Sequence, residues 1–331
     1  MSAPPRVSVI LPAYDVAPFV GRTVASLAAQ DWPGIEIVAV DDGSADDTAA
    51  ALERALEDFR RSGPERSATL VRQENAGLGA ARNAALDRAT GELVLFADGD
   101  DLLDPGALSA LVAALLSPPE PCLVFPRCRY IDEDGAPLGL QSGHRRRRLT
   151  AVDLLFENPI HTDTGVLLRR QALQRAGPFD PGLPSAIGLD AWLRVAAGRG
   201  ACIAQVPRVL VSYRRRGRQI TADWRRQRAG WEAVGARARA RGLLGARRLS
   251  RARARAMTVW AAGAYAAGEE DELRRLMRGA LLRDPVAVLG TRHGRLKLAA
   301  AAASGLPRSW QNRLIRWHLR RREGSAAEER R

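Results

Sequence analysis

The sequence predicts an α/β fold: a mostly parallel sheet flanked by helices, followed by an α-helical C-terminal region. Three observations carry this. Short β-branched runs alternate with longer helical patterns over the first hundred residues, polar clusters fall where those runs end, and after Tyr213 the composition turns Arg/Ala-rich and helical.

Val7-Ser8-Val9-Ile10-Leu11 reads as a strand ended by Pro12. From Pro18 to Gln30 the residues Phe19, Val20, Val24, Leu27 and Ala28 recur at helical spacing, and Asp31-Trp32-Pro33-Gly34 stops the helix. Ile35 to Val40 is a second strand, cut off by Asp41-Asp42-Gly43-Ser44; residues 45–61 read as a helix. Ala68 to Arg72 is a third strand, Leu78 to Ala89 a third helix and Leu93 to Ala97 a fourth strand. Such βαβ units bury a parallel sheet on both faces, and right-handed crossovers bring the strand C-terminal ends to one edge, where ligands bind. From about 105 to 205 the pattern is less regular: a helix near 106–116, strands over Leu123–Tyr130 and near Val166–Leu168, and a helix at about 189–198. This divides the chain into an α/β domain over 1–213, a basic helical region over 214–323 and a disordered tail over 324–331.

The 331 residues are 46% hydrophobic and 27% charged, ordinary globular usage that excludes a wholly disordered chain. Three scattered cysteines (Cys122, Cys128, Cys202) are too few for a disulfide framework, and no CxxC pair suggests zinc. With no apolar run of membrane-spanning length and no secretory leader pattern, the expectation is a reduced, cytoplasmic protein. The net charge of +14 is unevenly spread. Residues 1–200 carry 20 basic against 27 acidic residues, a net −7, and residues 201–331 carry 31 against 10, a net +21. Lys297 is the only lysine, an arginine bias that reads as GC-rich coding and not by itself as phosphate recognition.

The polar clusters converge on one edge: Pro12-Ala13-Tyr14-Asp15, Asp41-Asp42-Gly43-Ser44, Gln73-Glu74-Asn75-Ala76-Gly77 and Asp98-Gly99-Asp100-Asp101. Asp41-Asp42-Gly43-Ser44 alone reads equally as a turn with a helix N-cap. The last cluster is more demanding, because three carboxylates within four residues repel unless a cation compensates them. Hard oxygen ligands at that density suit Mg²⁺ or Mn²⁺ shared with substrate phosphates; the competing reading is a solvated turn capping the helix after Pro105. Asp42 near a base or ribose, Arg82 near phosphate and a metal under a diphosphate describe a nucleotide-sugar site. Neither GxGxxG nor GxxxxGK[ST] is present, which leaves a dinucleotide cofactor or a P-loop without support.

With those segments in view, residues 6–104 resemble a family 2 glycosyltransferase of the GT-A (Rossmann-like) fold. The matching segments are Val7–Tyr14, Val40–Ser44, Gln73–Asn83 and Phe96–Asp101. A weaker match runs on to about 213, through Thr164–Arg170, Gly177–Asp180 and Asp190–Arg194. The resemblance implies an inverting, metal-dependent transfer from a nucleoside-diphosphate sugar to a hydroxyl acceptor on a glycan, cell-envelope or lipid-linked precursor. Tyr14 and Asp42 would hold the nucleoside, with Pro12, Ala13, Asn75, Gly77 and Gly99 beside them. Arg82 would sit near the phosphates, and Asp98 with Asp100 would hold Mn²⁺ or Mg²⁺. The acceptor hydroxyl would need a general base.

The chain departs from the family at that base. The Glu-Asp pair expected six residues before the arginine matched by Arg194 is replaced by Ile187-Gly188, and Asp190 lies two residues later. Three readings compete: Asp190 serves, another group such as Asp163 or His161 serves, or catalysis is impaired. Asp190 reads equally as a helix-start carboxylate favoured by the dipole. His161, Asp163 and Trp192 are the acceptor-side candidates. Arg145-Arg146-Arg147-Arg148 reads as a solvated loop, or as a contact to an anionic acceptor.

Beyond 214, Trp224, Trp231, Trp260, Trp310 and Trp317 lie among dense arginines, and positions 310, 314 and 317 share one helical face. That pattern fits a helix lying on an anionic membrane surface, peripheral to its cytoplasmic face. Packing against the acidic domain is the competing reading. No nucleic-acid module is recognisable. Two function classes follow: a glycosyltransferase, favoured by Asp98-Gly99-Asp100-Asp101, and a non-catalytic nucleotide-sugar-binding or scaffold relative, favoured by Gly188.

Overall fold

The computed structural model describes residues 4–143, 146–217, 219 and 223–289, and resolves them into two compact units. The first comprises the residues up to 219 together with 229–243; the second comprises 220–228 and the residues from 244 onward. The first unit thus runs past Tyr213 and takes in part of a later helix, where a division at 213 was expected.

The first unit begins with β1 (Val7–Ala13), α1 (Ala17–Ala28), β2 (Ile35–Asp41), α2 (Thr48–Arg61), β3 (Arg66–Arg72), α3 (Leu78–Leu86) and β4 (Leu93–Phe96). It continues with β5 (Leu102–Leu103), α4 (Ala107–Leu115), β6 (Leu123–Ile131), β7 (Pro137–Gln141), β8 (Arg148–Leu149), α5 (Ala151–Phe156) and β9 (Leu167–Arg169). Then follow α6 (Arg170–Ala176), α7 (Ile187–Ala196), β10 (Ile203–Arg214) and α8 (Trp224–Ala240).

One sheet runs β3-β2-β1-β4-β9-β6-β10-β5, with β7 on β6 and β8 on β10. β1, β2 and β4 are buried along their whole length, which is why they read as continuous apolar runs. The parallel pairings Val7↔Ile35 and Val7↔Leu93 put β1 between β2 and β4. The strand order therefore reverses beside β1, and open α/β sheets bind ligands at such a switch point. β9 is antiparallel to both β4 and β6, so the sheet is mixed in its second half. β10 was not expected from the sequence. Its register on β6 shifts between Val206 and Val211, around Pro207, which breaks the alternation a strand would show.

The core joins Leu11, Val20, Val24 and Leu27 to Leu56, Phe59, Leu95, Leu108 and Leu111. Gly43 is required where it stands: it has φ +71°, and a Cβ there would lie 2.7 Å from the Asn75 backbone nitrogen. The loops after β2 and β3 can touch only because that side chain is absent.

Cys122 and Cys202 form a disulfide, which corrects the expectation of a reduced chain. They lie 80 residues apart, but the parallel register Leu123↔Ile203 sets them side by side. Only strand pairing, and no sequence spacing, reveals this. Cys128 is free and buried.

In the second unit, α9 (Ala246–Ala266) and α10 (Glu270–Arg283) form a hairpin turned at Gly268 (φ +76°), followed by α11 (Pro285–Leu289). Trp260, Ala261 and Ala264 of α9 and Leu273, Leu276, Met277 and Ala280 of α10 are its buried faces. The first turn of α8 belongs here, with Trp224 seated where a Cβ on Gly263 would stand. Some of the arginine excess is neutralised inside this unit, as Arg225–Glu269 (2.7 Å) and Arg251–Asp284 (3.0 Å). No helix among the described residues is long and apolar enough to cross a membrane. Arg145, the 310–317 segment and the 324–331 tail lie outside the described residues.

Two outcomes are expected. Thiol titration of the denatured, unreduced protein should find one reactive cysteine, and Cys202→Ser should lower stability by about 2–5 kcal/mol. Gly43→Ala should cost at least about 1–2 kcal/mol from the left-handed backbone alone, seen as a melting temperature several degrees lower.

Candidate nucleotide-sugar site

The loops after β1, β2 and β3 are knitted into one wall. Tyr14, 48% exposed, stands at its rim above buried Pro12 and Ala13. Asp15, at φ +48°, accepts from the Ala45 N–H (2.9 Å), and its own N–H donates to Ser44 Oγ (3.1 Å). The buried Asp42 carboxylate accepts from Gln73 Nε2 (2.8 Å) and from the N–H groups of Ala76 and Gly77 (both 2.9 Å). Asp42 was expected to hold the nucleoside; what it holds in this structure is the Asn75–Gly77 turn that opens α3.

β4 delivers the acidic cluster beside the β1 part of this wall. Asp101 is fully buried, and its carboxylate accepts from the Thr162 and Thr164 hydroxyls (2.7 Å each) and the Arg214 N–H (2.9 Å). Burial, then the Asp100 and Asp98 charges, push its carboxyl well above the usual range. Asp100 faces Arg216 Nε (2.7 Å) and Gln219 Nε2 (3.4 Å). Asp98 keeps 30% of its side chain exposed; one oxygen meets Arg82 (3.0 Å) and the other lies 3.5 Å from the Thr162 hydroxyl. Burial raises the Asp98 carboxyl, Arg82 draws it down, Asp163 and Asp100 raise it again, and the net shift is upward. Burial leads both upward shifts, and the neighbouring carboxylates add to it.

Arg82 lies beneath the cleft. It is completely buried, with its guanidinium carbon 5.4 Å from the Phe96 ring centre and 5.6 Å from that of Phe179. Its two terminal nitrogens hold Asp98 (3.0 Å) and Asp163 (2.6 Å). The expected phosphate contact is thus corrected: a guanidinium enclosed this way faces carboxylates. Trp192 is corrected too. It is fully buried against Phe96 and Phe179, with Nε1 donating to Asp163 (3.0 Å), and it offers no surface to an acceptor.

Asp190 is likewise removed from the chemistry. It is 2% exposed and paired with Arg194 (2.9 Å) and Arg241 (3.5 Å). Arg194 in turn donates to the carbonyls of Gly177 (2.7 Å) and Pro178 (2.9 Å), so Asp190 anchors a turn and is no base. His161 is exposed and hydrogen-bonded to the Tyr130 hydroxyl. Gly99, buried against Val16 and the Pro12 carbonyl, lets the β4 loop approach β1.

Four participants escaped the sequence reading: Thr162, Thr164, Arg214 and Arg216. Fully buried Arg214 donates to the carbonyls of Asp100 (2.9 Å), Asp132 (3.0 Å) and Glu133 (2.7 Å), closing the floor under the cluster. The available signal was the run Arg214-Arg215-Arg216 at the end of an α/β domain that carries an acidic cluster.

Residues 8–177, half of the chain, match the family model described as glycosyl transferase family 2. The putative teichuronic acid biosynthesis glycosyltransferase TuaG of Bacillus subtilis is 31% identical over 209 residues, covering 61% of this chain and 78% of that protein. The chain spans 54–65% of the length of three other curated relatives that it matches, and less of some others. Among solved structures, the Pyrobaculum calidifontis mannosyltransferase PcManGT, in complex with GDP-Man and Mn²⁺, superimposes with TM-score 0.54 at 24% identity, covering 92% of this chain and 88% of that one. S. aureus TarS 1–349 in complex with UDP-GlcNAc gives 0.54 at 18%, covering 89% and 79%. At those identities the solved structures establish the GT-A fold, and the family match carries the rest: the chain belongs to glycosyl transferase family 2.

Proposed function

We propose that this chain transfers a sugar, with inversion, from a nucleoside-diphosphate sugar to a hydroxyl acceptor on a glycan, cell-envelope or lipid-linked precursor. The observation that carries the reading is the Asp98–Asp101 cluster, set by β4 at the switch point of the sheet next to the β1 loop that carries Tyr14. Support also comes from the nucleotide sugars bound by TarS and PcManGT.

The donor set fits a divalent cation, Mn²⁺ or Mg²⁺. Among the described residues no three His, Cys, Asp or Glu side chains form a metal cage. Two hard carboxylates, Asp98 and Asp100, suit an ion that completes its shell with phosphate and water. Such an ion neutralises negative charge on a departing diphosphate. Arg216 and Gln219 would have to release Asp100, and the Arg216 guanidinium would then be available to a phosphate. The protein's own part is to orient the donor: Tyr14 offers a ring face at the rim, Asp42 fixes the Asn75–Gly77 turn beside it, and Thr162 and Thr164 keep Asp101 from swinging outward.

Gly188 favours a second reading, a non-catalytic binding relative. In either case, the net +21 of residues 201–331 supports contact with an anionic surface such as the cytoplasmic face of a membrane.

Melting the full chain with UDP, GDP, dTDP or CDP, each with Mn²⁺, Mg²⁺ or EDTA, tests the reading. One nucleotide, with metal and at about 100 times its dissociation constant, should add roughly 2.7 kcal/mol. Asp98→Asn and Asp100→Asn should abolish the metal-dependent part. Stability unchanged by every pair would overturn the proposal.

A further inference from the structure

We infer that Asp163 is the general base, its carboxylate supplied from the loop before β9 into the space that a side chain at position 188 would otherwise fill. The inference rests on the transfer reading above. A Cβ built on Gly188, in the first turn of α7, would lie 2.3 Å from both Asp163 oxygens and 2.6 Å from the carboxyl carbon. A side chain at 188 and a carboxylate at 163 therefore exclude each other. The site has room for one acid at this point, and the chain supplies it from 163.

The other carboxylates at this edge have different partners. Asp101 and Asp42 are buried with three donors each, Asp190 is paired with two arginines, and Asp100 faces Arg216. Asp98 and Asp163 flank Arg82 and keep 30% and 18% of their side chains exposed. Once Asp98 is assigned to the cation, Asp163 is the carboxylate beside Arg82 left to meet an incoming hydroxyl. Its orientation is fixed: Trp192 Nε1 donates to Oδ1 (3.0 Å) and Arg82 to Oδ2 (2.6 Å). A carboxylate has about four acceptor positions, so two donors leave capacity for an acceptor O–H. Two donors on separate elements also hold it to one rotamer, as a positioned base requires.

In the step, the acceptor oxygen forms a bond to the anomeric carbon as its proton passes to Asp163. The bond from that carbon to the phosphate oxygen breaks, and its electron pair leaves with the nucleoside diphosphate. Buried Arg82 and Trp192 are positioning residues, because they act through Asp163.

The test needs no knowledge of the acceptor. Release of nucleoside diphosphate to water is measured from UDP-GlcNAc, UDP-glucose, GDP-mannose and dTDP-rhamnose with Mn²⁺, using the full chain with and without sodium azide. Azide attacks the anomeric carbon as an anion, forming a C–N bond with no proton to remove. With the donor that the wild type cleaves, Asp163→Ala should lower release to water by about 10²–10⁴-fold. Azide should restore release, with a glycosyl azide of inverted configuration as product. The exchange Asp163→Gly with Gly188→Asp should recover release without azide. Asp163→Asn, of the same shape, carries the test should the alanine variant fail to fold. Undiminished release in a folded Asp163 variant would overturn the assignment. So would loss that azide does not repair although nucleotide still raises the melting temperature. A wild type inert toward every donor would instead overturn the transfer reading, an outcome visible before any substitution is made.

Discussion

A guanidinium with no exposure to water holds this site together. Arg82 has carboxylates on both terminal nitrogens and two mutually packed aromatic rings beside it, and these neighbours come from three stretches of chain. Asp98 and Phe96 belong to β4 and its end, Asp163 to the loop before β9, and Phe179 to the turn before α7. Asn83, the next residue, exchanges two hydrogen bonds with the Phe179 backbone, 2.8 Å each. One turn of α3 thus ties together the end of β4, the loop before β9 and the turn before α7. Removing one partner from such a buried pair typically costs about 3–5 kcal/mol, because the remaining charge is left without compensation. The same sharing makes the two carboxylates energetically inseparable: substitutions at Asp98 and Asp163 should not act additively, since each alters the charge facing the other's partner.

The first half of the sheet was legible in the sequence. Strands buried on both faces announce themselves as apolar runs, and the clusters ending them are local, so β1 to β4 and the positions of Tyr14, Asp42 and Asp98 at their ends could be read directly. The second half was not. Its strands are short or, in β10, broken by a register shift, and its chemistry depends on contacts between distant segments. Asp190 looked like a base because it lies two residues from the expected place; helical geometry turns it toward Arg194 one turn on. The family resemblance placed Arg82 near the phosphates, and only its complete burial between two carboxylates shows otherwise. The Cys122–Cys202 bond depended on a strand pairing that could not be foreseen without β10.

Arginine abundance hid several distinct roles. Arg82 and Arg214 are structural cations with no exposure, Arg216 faces the acidic cluster, and Arg194 and Arg241 neutralise a buried aspartate. Arg225 and Arg251 form ion pairs within the helical unit. Composition reports only the total, and a bias from coding does not prevent individual residues from being recruited.

The bond between Cys122 and Cys202 encloses the chain from β6 through Asp163 and Gly188 to the end of α7. That stretch is a covalent ring. A protease cutting once anywhere inside it would leave both pieces attached, migrating as a single chain until a reductant is added. A break in the backbone of this stretch therefore need not separate its two ends.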